Sequence, residues 1–181
     1  MKKLLLCAGN VSIRIALKFF DTGLNSDLST DFTEQNDFLF VSTEKSFLER
    51  LNMPEEKKFC LPVVQTGCNI DIKRGIDFSQ AEISLILRVQ KYKKIVFVCD
   101  GFVFSYLLLL NALYELSLCS DIDLQVLCLD SFSQQHFLDR GLEKKIAYII
   151  PEKFVQFLPS AKNYKRKFER QVKIAIHKAL F

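Results

Sequence analysis

Short, almost wholly apolar runs alternating with helix-period patterns constrain this chain more than any other feature. Lys3–Ala8, Phe38–Ser42, Phe59–Val64, Ile95–Cys99, Leu124–Leu129 and Lys145–Ile150 are five or six residues long and rich in β-branched or aromatic side chains. A strand with one wet face alternates apolar and polar residues, whereas one apolar throughout is buried on both faces, as a parallel sheet under crossover helices requires. Helix spacing fills the gaps. Ile13, Ala16, Leu17 and Phe20 follow the first run, Ile83, Ile86, Leu87 and Val89 precede the fourth, and Phe104, Leu107, Leu108 and Ala112 follow it. The pattern predicts an α/β fold: a single Rossmann-like domain with a mostly parallel sheet of about six strands flanked by helices.

Local signals refine this plan. Pro62 cannot donate to a sheet ladder, so the third run is best placed on an edge. Asp77 or Ser79, with Glu82 three residues beyond Ser79, makes a capping box ahead of the second helix; Ser131 or Ser133 opens a short later helix that Gly141 closes. Asp21–Asp37 carries four Asp and one Glu among small polar residues and reads as an acidic loop. With 181 residues, 49% of them apolar, and only 6 Gly and 4 Pro, the chain can bury one core and shows no linker. Residues 1–159 form the expected α/β domain, and 160–181 a basic amphipathic helix packed on it or extending from it.

Membrane and metal classes receive little support. Met1–Asn10 resembles a lipoprotein signal, but its apolar stretch is too short and Leu6 is too large for the cleavage site. Phe102–Leu118 is interrupted by Ser105, Asn111 and Glu115 and is short of a membrane span, so it is expected to be a buried helix. Cys7, Cys60, Cys68, Cys99, Cys119 and Cys128 form no C-x-x-C pair, and His136 and His177 have no cysteine within metal-motif distance. The thiols are expected to be reduced and buried, no metal site is expected, and the default compartment is cytoplasmic.

In an open parallel sheet, ligands sit beyond the carboxyl ends of the strands. Those positions hold Ala8-Gly9-Asn10, Ser42-Thr43-Glu44, Gln65-Thr66-Gly67-Cys68-Asn69, Asp100-Gly101-Phe102 and Asp130-Ser131-Phe132-Ser133. Small polar turns like these can present backbone N–H groups to a phosphate, although any doubly wound domain needs such turns. Neither a G-x-G-x-x-G fingerprint nor a P-loop is present, which counts against ordinary NAD enzymes and P-loop NTPases. Asp100 and Asp130 end neighbouring strands; they could pair for Mg²⁺ or acid–base work, or each could cap the helix that follows it.

With these turns placed, the chain resembles the N-terminal GTP-binding domain of the FtsZ and tubulin family. Lys3–Asn10 is similar to the first strand and its glycine-rich turn, and Asp37–Glu44 to the second strand with its Asn-Thr-Asp turn, here Ser42-Thr43-Glu44. Gln65–Asn69 occupies the place of a threonine- or glycine-rich turn, and Ile95–Phe102 resembles the strand leading into the tubulin signature. Leu127–Phe132 and Ala147–Phe154 resemble the later strands with their Pro-Phe-Ser/Thr-like and Ile-Pro-Asn-Asp endings. The departures matter for function. Where the family carries GGGTGTG after Gly101, this chain has Phe102-Val103-Phe104-Ser105-Tyr106-Leu107, whose side chains obstruct the close approach of backbone to phosphate. The resemblance also places Phe181 about where the family's long central helix runs, ahead of the catalytic loop and second domain.

The resemblance therefore implies a degenerate, truncated relative that acts as a binding or regulatory module, in cell division or a cytoskeleton, with no catalytic residues of its own. Any weak GTP or GDP binding would fall near Gly9, Asn10, Thr43, Gly67, Asp100 and Gly101. From Ser160 onward seven basic residues face one acid, so this segment carries +6 of a net +4 and the remainder carries −2. Ala161, Tyr164, Phe168, Val172, Ala175 or Ile176, and Ala179 form a stripe opposite the charge. That stripe can simply pack on the sheet. Alternatively Lys162, Lys165, Arg166, Lys167, Arg170 and Lys173 bind a protein partner, nucleic acid or an anionic membrane surface. Two other readings stay open: a small nucleotide- or phosphate-dependent α/β enzyme using Asp100 and Asp130, and an anion binder working through the terminal helix.

Overall fold

Side chains on successive strand residues point to opposite faces, and the central strands of this chain fill both faces with apolar groups. In β1 (Lys3–Ala8), Leu4, Leu6 and Ala8 enter one core while Leu5 and Cys7 enter the other. β4 (Lys94–Asp100) divides in the same way, with Ile95, Phe97 and Cys99 against Val96 and Val98. Such strands can rest only between two helical layers. The computed structural model describes residues 2–21, 36–61, 80–100, 104–130, 155–159 and 165–181. Among these residues the sheet has six strands in the order β3-β2-β1-β4-β5-β6, where β2 is Asn36–Ser42, β3 Lys58–Cys60, β5 Asp123–Asp130 and β6 Val155–Pro159. Every pairing is parallel. The fold is thus the α/β, Rossmann-like, parallel arrangement that the alternation predicts.

Two helical layers close the cores. On one face lie α1 (Asn10–Asp21), the short α2 (Lys45–Glu49) and α5 (Lys165–Leu180), which bury Ile13, Ala16, Phe19, Phe47, Phe168 and Val172. On the other lie α3 (Gln80–Val89) and α4 (Phe104–Cys119), with Leu85, Val89, Tyr106, Leu109 and Leu113. α4 is the buried helix expected over Phe102–Leu118, except that its last turn emerges and leaves Leu118 62% exposed. A single 3-10 turn, Glu55–Lys57, leads into β3.

Several expectations need correction. Of the apolar set Ile83, Ile86, Leu87 and Val89, only Val89 is fully buried; Ile83 and Leu87 are 43% and 59% exposed, and Leu85 takes the inner position. Ile-Ser-Leu-Ile-Leu offers two overlapping stripes, and the one that continues through Val89 to Tyr92 wins. The Tyr92 hydroxyl donates to Asp37 on β2 and fixes the helix rotation. The six thiols are not all buried. Cys7, Cys99 and Cys128 are, but Cys60 ends an edge strand and Cys119 ends α4, so both reach solvent. The third strand stops at Cys60, and it does lie at the sheet edge. The proposed loop loses both ends, since Asp21 closes α1 and Asn36 opens β2. β6 was not anticipated as a strand. The run Lys145–Ile150, the capping residues Asp77, Ser79, Ser131 and Ser133, and Gly141 and Cys68 lie outside the described residues, as does the side chain of Glu82.

Candidate functional site

The strand order reverses between β1 and β4, and this switch point, where the crossovers leave in opposite directions, is the position at which a doubly wound sheet places its ligand crevice beyond the carboxyl ends. Ala8 is level with Cys99, so Gly9 and Asp100 emerge side by side. Gly9 starts α1. Its N–H extends the ladder to Val41 O at 2.9 Å, and its carbonyl accepts the first helical bond from Ile13 N at 3.0 Å. A glycine in that position has no side chain to cap the free N–H groups of the first turn.

Asp100 performs the capping from the neighbouring strand. Its Oδ2 accepts from Val11 N and its Oδ1 from Ser12 N, each at 2.9 Å, while Ser12 Oγ donates to Gly9 O at 2.9 Å. The carboxylate thus occupies the positive end of α1, where a bound anion would otherwise sit. Sequence reasoning offered capping of the following helix as Asp100's structural role; the helix it caps is instead the one after the adjacent strand. The arrangement depends on Gly9, whose φ is +114°, a conformation that side chains oppose; a Cβ there would lie 2.7 Å from Asp100 Cβ and overlap the carboxylate. Asp100 is 8% exposed. Burial pushes its carboxyl up to about 6, against the opposing pull of the Val11 and Ser12 hydrogen bonds.

The second strand supplies the other wall. Ser42 Oγ donates to Asn10 Oδ1 at 3.0 Å and accepts from Glu44 N at 3.0 Å, pinning the turn after β2 to the start of α1. Thr43 N donates to the Tyr106 hydroxyl at 3.3 Å. Tyr106 reaches the site from the first turn of α4, and burial raises its phenol above the ordinary value. Of the residues expected around a nucleotide, Gly9, Asn10, Thr43 and Asp100 therefore meet at one crevice, while Gly67 and Gly101 lie outside the described residues. Ser12 and Tyr106 were missed as site residues, and Ser42, placed in the strand-end turn, was left out of the nucleotide set. Ser12 carried a weak signal, being a small hydroxyl in the first turn after Gly9, whereas Tyr106 is placed only by the packing of α4. Asp130 ends β5, beside the strand of Asp100, but its side chain lies outside the described set.

The basic helix contributes a separate surface. Phe168, Val172, Ala175, Ile176 and Ala179 are buried, so the expected stripe packs on the sheet. Arg166, Lys167 and Arg170 are exposed. Lys173 is half-buried and donates to Lys18 O at 3.0 Å, and Glu169 pairs with Lys18 at 2.9 Å. Ala161, Lys162, Tyr164 and the side chain of Lys165 are outside the described residues. Among the described residues no group of His, Cys, Asp or Glu could hold a metal, and no helix is long and apolar enough to cross a membrane.

No protein-family model matches the sequence, and no curated protein does. Among solved structures the chain is similar to the PhuZ201 filament, a tubulin/FtsZ-like protein, with a TM-score of 0.59 and 13% identity. The match covers 98% of this chain and 54% of that one, so the chain spans about half the length of the structure it matches. The fold is tubulin-like.

Proposed function

We propose that this chain is a tubulin/FtsZ-like module whose nucleotide pocket has degenerated, and that it works by self-association or by binding a protein partner in a cytoskeletal or cell-division assembly. The observation that carries the reading is the Asp100 carboxylate on the N–H groups of Val11 and Ser12. At pH 7 this anion is part of the fold, and a nucleotide phosphate would have to displace it against charge repulsion. Phe102-Val103-Phe104 in place of the signature glycines argues in the same direction. Asp100 also spends both carboxylate oxygens on α1, which supports capping rather than acid–base work. The similarity to a filament protein supports self-association, and a cytoplasmic location accords with this role.

Thermal unfolding with millimolar GTP, GDP or ATP and Mg²⁺ tests the pocket. A ligand present at one hundred times its Kd stabilises the folded state by about 2.7 kcal/mol, several degrees for a chain of this size. No nucleotide is expected to raise the melting temperature; a guanine-selective rise of several degrees would restore the pocket and defeat this reading. Sedimentation across micromolar concentrations tests assembly, with growth of larger species expected. A monomer at every concentration would leave only the heterologous-partner form of the proposal.

A further inference from the structure

The outward side of α5 has a composition that neither the core nor the pocket uses. Opposite the buried stripe, Lys167, Arg170, Ile174, Lys178 and Phe181 follow one another at helical spacings of three and four, with Arg166 beside them. Four of these six are cations and none is acidic; Glu169 turns aside to Lys18 on α1. Between and beyond the cations two large apolar side chains face solvent, Ile174 at 46% and Phe181 at 53% exposure. Phe181 rests against the ring of His177 at 4.9 Å and beneath Lys3 at 5.5 Å, so this end of the ridge joins the amino edge of the sheet, where Lys2 is also exposed.

From this ridge we infer that the protein docks peripherally on anionic lipid surfaces through α5. The cations suit any polyanion, but the two apolar side chains discriminate. A ladder of nucleic-acid phosphates gains little from Ile174, whereas a bilayer presents anionic headgroups with acyl chains directly beneath, where an isoleucine and a phenylalanine are accommodated together with their basic neighbours. The apolar stripe of α5 is committed to the core, so the helix cannot turn over and sink into the membrane. Binding is therefore shallow, electrostatic in its larger part and sensitive to salt. It depends on neither nucleotide nor self-association and stands apart from the function proposed above.

Co-sedimentation of the full chain with vesicles of phosphatidylcholine alone, or with about one quarter phosphatidylglycerol, tests the inference. Binding is expected only to the anionic vesicles, falling tenfold or more between about 50 mM and about 300 mM sodium chloride. Each basic residue near an anionic surface contributes about fivefold, so Arg166→Glu with Arg170→Glu is expected to lower binding by well over tenfold. Ile174→Ser keeps the charge and should still lower binding severalfold. All three positions are exposed, and unchanged melting temperatures would show the variants to be folded. Equal binding to both vesicle types, absence of binding to the anionic ones, or indifference to the charge reversal overturns the inference. So does an unaffected Ile174→Ser, and tighter binding to a DNA duplex than to the anionic vesicles would assign the ridge to nucleic acid.

Discussion

Gly9→Ala is the substitution that bears hardest on the architecture of the crevice. At φ +114° an alanine costs about 1–3 kcal/mol in backbone strain alone. Its Cβ would also overlap the Asp100 carboxylate, which must then leave Val11 N and Ser12 N. Each hydrogen bond to a charged group is worth about 1.5–3 kcal/mol, so losing both adds about 3–6 kcal/mol. The total approaches the whole stability of an ordinary domain, about 5–15 kcal/mol. A double-mutant cycle separates the parts. Asp100→Ala removes the two hydrogen bonds by itself, and in that background Gly9→Ala should cost only its backbone strain. The expected coupling is at least about 2 kcal/mol, read from urea unfolding followed by circular dichroism at pH 7. A Gly9→Ala penalty below about 1 kcal/mol, or one unchanged by the loss of Asp100, would refute the claim that the carboxylate and the bare glycine require each other.

Three further outcomes are expected. Folding raises the carboxyl of Asp100 from an unfolded value of about 3.9 to about 6, so its stabilising protonation is complete below about pH 4 and is lost as pH rises through 6. Asp100→Asn should remove this fall, worth up to about 3 kcal/mol between those limits; parallel stability curves for the two proteins would contradict it. Asp37 behaves in the opposite sense. Burial alone would raise its carboxyl, but hydrogen bonds from Lys57, Tyr92 and Phe38 N more than offset this and hold it below the ordinary value, so its contribution is lost only at acid pH. Tyr92→Phe should therefore cost about 1–3 kcal/mol at pH 7 and less once Asp37 is protonated, whereas an equal cost at both pH values would count against the pairing. Phe168→Ala should destabilise by about 3–5 kcal/mol, while Leu87→Ser on the exposed side of α3 should change stability by no more than about 0.5 kcal/mol; the reverse ranking would place the wrong helix faces in the core.

The crevice is legible in part because its residues follow strands that announce themselves. Gly9, Asn10, Thr43 and Asp100 each stand at or just beyond the carboxyl end of an apolar run, and parallel strands bring those ends to one edge. Their roles were harder to read. The number of bonds Asp100 makes, and the helix it serves, depend on which strand lies beside β4, and strand adjacency is a long-range property. The same limit affected α3, where two apolar stripes were equally available and the anchor between Tyr92 and Asp37, 55 residues apart, selected one.

By itself, the sequence determined the layer architecture. Runs apolar at every position must be buried on both faces, and only helices on both sides of a parallel sheet provide that. It also determined the inward face of α5, because one stripe there is apolar and the rest is charged. The tertiary structure decided what local pattern leaves degenerate: the strand order, the rotation of α3, and the placing of a carboxylate from β4 on the amino end of α1. These are settled by the burial and hydrogen bonding of groups far apart in sequence, 55 residues for Tyr92 and Asp37 and 88 and 89 for Asp100 and the start of α1, interactions that have no energy until the chain has closed around them.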